Sequence, residues 1–137
     1  MTNISKAEQI QEMHKINVLL VDDEKDFVTT LSERIQMRNF DSTFALSGSA
    51  ALNLIAEKAF DVIILDLKMP GLGGMEVLRR LKKTYPEIQV IILTGHGSEN
   101  DEDEARRLGA FDYLKKPIDI EALVKQIKDA FNNKITD

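Results

Sequence analysis

The sequence predicts a doubly wound α/β domain, an open parallel sheet of five strands with helices on both faces. Three observations carry this. Apolar runs of Val, Ile and Leu without polar alternation mark strands covered on both sides. Segments with three-to-four apolar spacing lie between the runs and mark amphipathic helices. Successive runs start roughly 20 to 30 residues apart, which leaves room for a helical crossover between parallel strands.

The first strand is Ile16 to Val21, a run interrupted only by Asn17. A helix follows, with Phe27, Val28, Leu31 and Ile35 on one stripe. The second strand, Asp41 to Leu46, is a weaker candidate with some alternation. Ala51, Leu54 and Ile55 form the next helical stripe. Val62 to Leu65 is the third strand, and Val77, Leu78, Leu81 and Tyr85 mark the helix after it. The fourth strand is Val90 to Leu93. The helix that follows is unusual, because Glu99, Asp101, Glu102, Asp103 and Glu104 crowd its start and only Ala105 and Leu108 remain for a buried face. Acids suit a first turn but repel one another at three-to-four spacing. This helix is therefore expected to be short or mobile, or to face a basic partner. The fifth strand is Phe111 to Leu114. The last helix is the clearest, with Ile120, Leu123, Val124, Ile127, Ala130 and Phe131 on one face and Asp119 placed to cap its first amides.

The domain is read as residues 16–132. Residues 1–15 form an N-terminal tail, or a short helix given the spacing of Ile4, Ala7, Ile10 and Met13, and 133–137 a C-terminal tail. A chain of 137 residues with 43% hydrophobic and 30% charged residues is ordinary for one globular domain. Its net charge of −5 argues against direct nucleic-acid binding. No apolar run approaches the about 20 residues that span a bilayer, and no secretory signal is apparent at the start, so no membrane association is expected. The chain has no cysteine, which excludes disulfides, thiolate nucleophiles and sulfur-ligated zinc and fits a cytoplasmic location.

In a sheet of this kind ligands bind beyond the carboxyl ends of the strands. The residues that fall there are Asp22 and Asp23 after the first strand, Asp66 after the third, Thr94 after the fourth, and Lys116-Pro117 after the fifth. Each has an ordinary explanation alone: a helix cap, a turn before Met69-Pro70-Gly71, a loop hydroxyl, a solvated lysine. Together they place three carboxylates at one edge, a repulsion tolerated when a cation is bound or a pKa rises. An all-oxygen cluster suits a hard divalent ion, Mg2+ first. No Gly-x-x-x-x-Gly-Lys-Ser/Thr loop and no Gly-x-Ser-x-Gly elbow is present.

The stretches Val18-Leu19-Leu20-Val21-Asp22-Asp23-Glu24, Asp61 to Gly71, Thr94-Gly95-His96-Gly97 and Gly109 to Pro117 resemble those of response-regulator receiver domains of two-component signal transduction. The resemblance covers Ile16 to about Phe131. It implies a flavodoxin-like (βα)5 fold with strand order 2-1-3-4-5, and a phosphorelay role in which Asp66 takes a phosphoryl group from a phosphohistidine. By the same resemblance Asp23, Asp66 and the Lys68 backbone carbonyl ligate Mg2+, and Asp22 acts through a bound water. Lys116 pairs with the phosphoryl oxygens, with a cis bond to Pro117 aiming it inward. Thr94 and Tyr113 form the switch that alters the face built by the fourth helix, fifth strand and fifth helix. Lys68 and His96 occupy positions that tune phosphoryl lifetime. The implied partners are a histidine kinase or phosphotransfer protein and a downstream effector or fused output domain, and the chain would be a signalling phosphoacceptor rather than an enzyme acting on other substrates.

A phosphatase of the haloacid-dehalogenase type shares the aspartate, the cation, the hydroxyl and the lysine. It needs an acid two residues after the nucleophile, where this chain has Lys68. A pseudo-receiver that never carries phosphate is the other rival.

Overall fold

The computed structural model describes residues 5, 6, 9 and 15–136, with the side chains of 135 and 136 left aside. Most of the predicted N-terminal tail, 1–15, therefore lies outside the described residues. Lys6 and Gln9 are helical, and the Gln9 amide donates to the Ser5 carbonyl at 3.0 Å.

Among the described residues from Ile16 on, five strands alternate with five helices: β1 (Ile16–Val21), α1 (Lys25–Gln36), β2 (Phe40–Ala45), α2 (Gly48–Glu57), β3 (Val62–Leu65), α3 (Gly74–Thr84), β4 (Gln89–Thr94), α4 (Glu99–Arg107), β5 (Asp112–Lys115) and α5 (Ile120–Thr136). All pairings are parallel and the sheet order is β2-β1-β3-β4-β5, the predicted flavodoxin-like arrangement. Crossovers through helices produce this winding, and the order reverses between β1 and β3.

The strands explain the apolar runs. Ile16, Val18 and Leu20 point into one core with Val28, Ile35, Leu123 and Ile127 of α1 and α5. Leu19 and Val21 point into a second core with Ala51, Val77, Leu78 and Leu81 of α2 and α3. Both faces of β1 are thus buried, so no position along it after Asn17 favours a polar side chain.

The weaker elements shift by a residue or two from their predicted bounds. Phe40, rather than Asp41, opens β2, because it is buried and pairs with Ile16. Thr94 extends β4, where it pairs with Lys115 of β5. Residues 133–136 of the expected C-terminal tail, 133–137, continue the last helix, and α5 runs to Thr136. Polar contacts from Asn133 and Lys134 anchor this last turn. Asn133 Nδ2 donates to Gln89 Oε1 at 3.2 Å, and Lys134 Nζ lies 2.9 Å from Asp61 Oδ1. Asp119 caps the helix as predicted, accepting from the amides of Glu121 and Ala122 at 3.1 and 3.2 Å.

α4 is short, at nine residues, and Ala105 is its one buried residue. Its acids are met from inside the chain. Ser98 and Asp101 form a reciprocal capping box, Arg106 bonds Glu102 and Asp112, Arg79 of α3 reaches Glu104 at 3.6 Å, and Lys68 lies 3.5 Å from Asp101. No helix among the described residues is long and apolar enough to cross a membrane.

Candidate phosphoryl-transfer site

The ladder hydrogen bonds continue one residue past the strands and so fix the edge. The Asp22 amide donates to the Ala45 carbonyl at 3.1 Å, the Asp66 amide to Val21 at 3.0 Å, and the Lys116 amide to Thr94 at 3.0 Å. Residues that follow three different strands are thereby held at one level. Gly74 lets α3 start against this edge: a Cβ there would stand 2.1 Å from the Asp66 carbonyl oxygen.

Carboxylate oxygens of Asp22, Asp23 and Asp66 lie within 4.8 Å of one another. Asp22 and Asp66 are 4% and 3% exposed, whereas Asp23 opens to solvent. Burying charge at this spacing is costly unless hydrogen bonds or counter-charge compensate. Asp22 has both. Its Oδ1 accepts the Glu24 amide at 2.9 Å and its Oδ2 receives the Lys116 ammonium at 2.7 Å. Burial nevertheless pushes the Asp22 carboxyl above its ordinary value, with the Lys116 and Glu24 bonds opposing and the Asp66 charge adding to the rise. Asp66 is left differently: its Oδ1 is buried and accepts no hydrogen bond. A buried carboxylate oxygen without a donor, beside two other carboxylates, is the donor set a hard cation completes. The residues fit Mg2+.

Lys116 is 14% exposed along its side chain. Its ammonium also lies 3.0 Å from Glu24 Oε1 and 4.4 Å from the centroid of the Phe27 ring. Burial alone would lower its pKa, but the bonds to Asp22 and Glu24 outweigh that and hold it above the ordinary lysine value, so it is cationic at neutral pH. The Lys116–Pro117 bond is cis, as expected. Thr94 is 1% exposed at the end of β4, and its hydroxyl accepts the His96 amide at 3.4 Å. His96 is exposed. Lys68 is also exposed and reaches away to Asp101.

Tyr113 is buried with its ring inward, and its hydroxyl has no hydrogen-bond partner. The loop after β4 makes room for it with Gly97, where a Cβ would come within 1.5 Å of the phenol oxygen. Burial, then the charges of Asp101, Glu102 and Asp66, raise the phenol above its ordinary pKa.

Two residues at the site carry no mark of it in the sequence. Glu24 follows Asp22 and Asp23 as one more acid, and Phe27 reads only as a helix-stripe residue. Both touch the Lys116 ammonium, a contact spanning some ninety positions that local pattern does not encode.

The model of the response regulator receiver domain matches residues 18–128. The chain belongs to this family, the receiver domains of two-component systems. It is 36% identical over 118 residues to the uncharacterized transcriptional regulatory protein YkoG of Bacillus subtilis (strain 168), covering 86% of this chain and 52% of that protein. It is likewise 36% identical over 120 residues to a putative response regulator NtrX-like of Rickettsia bellii (strain RML369-C), covering 86% of this chain and 25% of the relative. The receiver thus spans about half of one relative and a quarter of the other. Among solved structures, a response regulator receiver domain from Clostridium thermocellum shares 36% identity at a TM-score of 0.84, covering 88% of this chain and 98% of that one. The Francisella response regulator 1452 receiver domain shares 33% at 0.78, covering 85% and 96%.

Proposed function

We propose that this receiver accepts a phosphoryl group on Asp66 from a phosphohistidine of a histidine kinase or phosphotransfer protein, and that the modified form engages a downstream effector or fused output domain. The single observation that supports this best is the buried Asp66 oxygen without a donor, set among carboxylates and within the electrostatic reach of Lys116. In the reaction an Asp66 oxygen forms a bond to phosphorus while the phosphorus–nitrogen bond to the partner histidine breaks, its electron pair staying on the imidazole. Asp66 and Asp23 would hold Mg2+ directly, with the Lys68 backbone carbonyl, and Asp22 would reach it through a water. Both Asp22 oxygens are already engaged, which suits that indirect part. Bound Mg2+ supplies charge neutralisation for the phosphoryl oxygens.

The remaining steps belong to the chain. Lys116 pairs with the phosphoryl oxygens, drawing on an ammonium that neighbouring carboxylates keep protonated. The Thr94 hydroxyl donates to the same group, and Tyr113 shifts its packing in response, altering the face formed by α4, β5 and α5. The reaction is this chain's own modification and its reversal, in the cytoplasm, and not turnover of another substrate.

The test is mass spectrometry after incubation with Mg2+ and acetyl phosphate. The wild type is expected to gain one hydroxylamine-labile phosphoryl group and Asp66→Asn none. Absence of an adduct from acetyl phosphate and from every kinase tried would leave a docking module that never carries phosphate.

A further inference from the structure

Lys116 is held by more than its acids. Its ammonium faces Asp22 on one side, Glu24 on another and the Phe27 ring on a third. Asp22 is nearly buried and fixed through the Glu24 amide, whereas the Glu24 side chain is 58% exposed and so a weaker, screened partner. When a phosphoryl group arrives, its oxygens compete with the carboxylates for the three N–H donors of the ammonium. The ring does not compete: its face attracts the cation through the quadrupole and consumes no hydrogen-bond donor. Phe27 itself has little freedom, because it is half-buried in the first turn of α1 and packed against the core of β1, α1 and α5.

We propose that Phe27 is a positioning residue of the phosphoryl-transfer site, whose ring face seats the Lys116 ammonium so that it can exchange a carboxylate for phosphoryl oxygens without leaving the edge. This rests on Asp66 being the acceptor. It assigns to one aromatic in the first helix a part in a reaction whose other groups lie in strands or just after them. An aliphatic residue of similar size would fill the space and keep the core contact but not the cation contact.

The test replaces Phe27 by phenylalanines carrying one, two and three ring fluorines, which keep the shape and progressively remove the negative face, and separately by Leu and by Tyr. Two readouts are followed. The first is the rate of acetyl-phosphate-driven phosphorylation, expected to fall about threefold to tenfold in Phe27→Leu, to fall in graded order with fluorination, and to be retained in Phe27→Tyr. The second is the proton NMR shift of the Lys116 side-chain methylenes, which needs no phosphorylation. Ring-current shielding is expected in the wild type and lost in Phe27→Leu. Phosphorylation indifferent to fluorination, or an unshielded Lys116 in the wild type, would overturn the proposal. A wild type that shields Lys116 yet takes no phosphoryl group would overturn the acceptor reading while leaving the seat in place.

Discussion

A single added methyl at Gly97 would collide with the Tyr113 hydroxyl, so the ring and that glycine determine one another. Gly97→Ala is expected to drive Tyr113 out of its buried place at a cost of about 1–3 kcal/mol, read by urea unfolding. Adding Tyr113→Phe should restore part of the loss, because the atom in closest conflict is gone. The phenol also sets an alkaline limit. Its folded pKa stands above the ordinary value of 10.0, because of burial first and neighbouring acids second. The folded state thus keeps the proton longer than the unfolded chain, and the phenol's contribution to stability, full below the ordinary value, is lost as pH rises through the folded one. Absorbance titration should show one phenol ionising late in the wild type and absent from Tyr113→Phe, whose stability should fall less over the same alkaline range. At this scale the sequence carried the positions of Asp22, Asp66, Thr94 and Lys116, because strand ends can be located from apolar runs. It did not carry Glu24 or Phe27 as partners of Lys116, since that contact joins the two ends of the chain.

Among the elements, α4 is as short as its sequence suggests, but its charges are better balanced than the chain alone reveals. Its acids suggest repulsion, yet Lys68 and Arg79 approach from the loop after β3 and from α3 to offset them, a pairing only the tertiary fold reveals. What anchors the helix is its start. Ser98→Ala removes the acceptor for the Asp101 amide and should cost about 1 kcal/mol. With one buried residue against the many of α5, amide exchange along Glu99–Arg107 is expected to be faster than along Ile120–Phe131. Equal protection in the two helices would refute this. In the part of α5 past Phe131, the partners of Asn133 and Lys134 are equally hidden, because they stand at the start of β4 and just before β3, far away in sequence.

For the whole molecule, three clustered carboxylates, two of them buried, make the metal-free fold less stable than its core alone would allow. A ligand that binds the folded chain and not the unfolded one raises stability with concentration, by about 2.7 kcal/mol at a hundredfold excess over Kd. Adding Mg2+ should therefore raise the melting temperature of the wild type, and the rise should vanish in Asp23→Asn or Asp66→Asn. Calorimetry with and without chelator decides it. The fold class was the most legible feature of all, since the central strands β1, β3 and β4, buried on both faces, each carry an apolar run, whereas the site's charge balance depends on which side chains meet.

The in-phase pairing of Val21 with Leu65 has one more consequence. Because both strands stop at the same rung, deleting any single residue between Ile16 and Val21 would force a choice on the chain: keep the core side chains on their proper faces, or keep an acid at the rim. Small insertions and deletions in these two strands would therefore register as lost chemistry even in a variant that still folds.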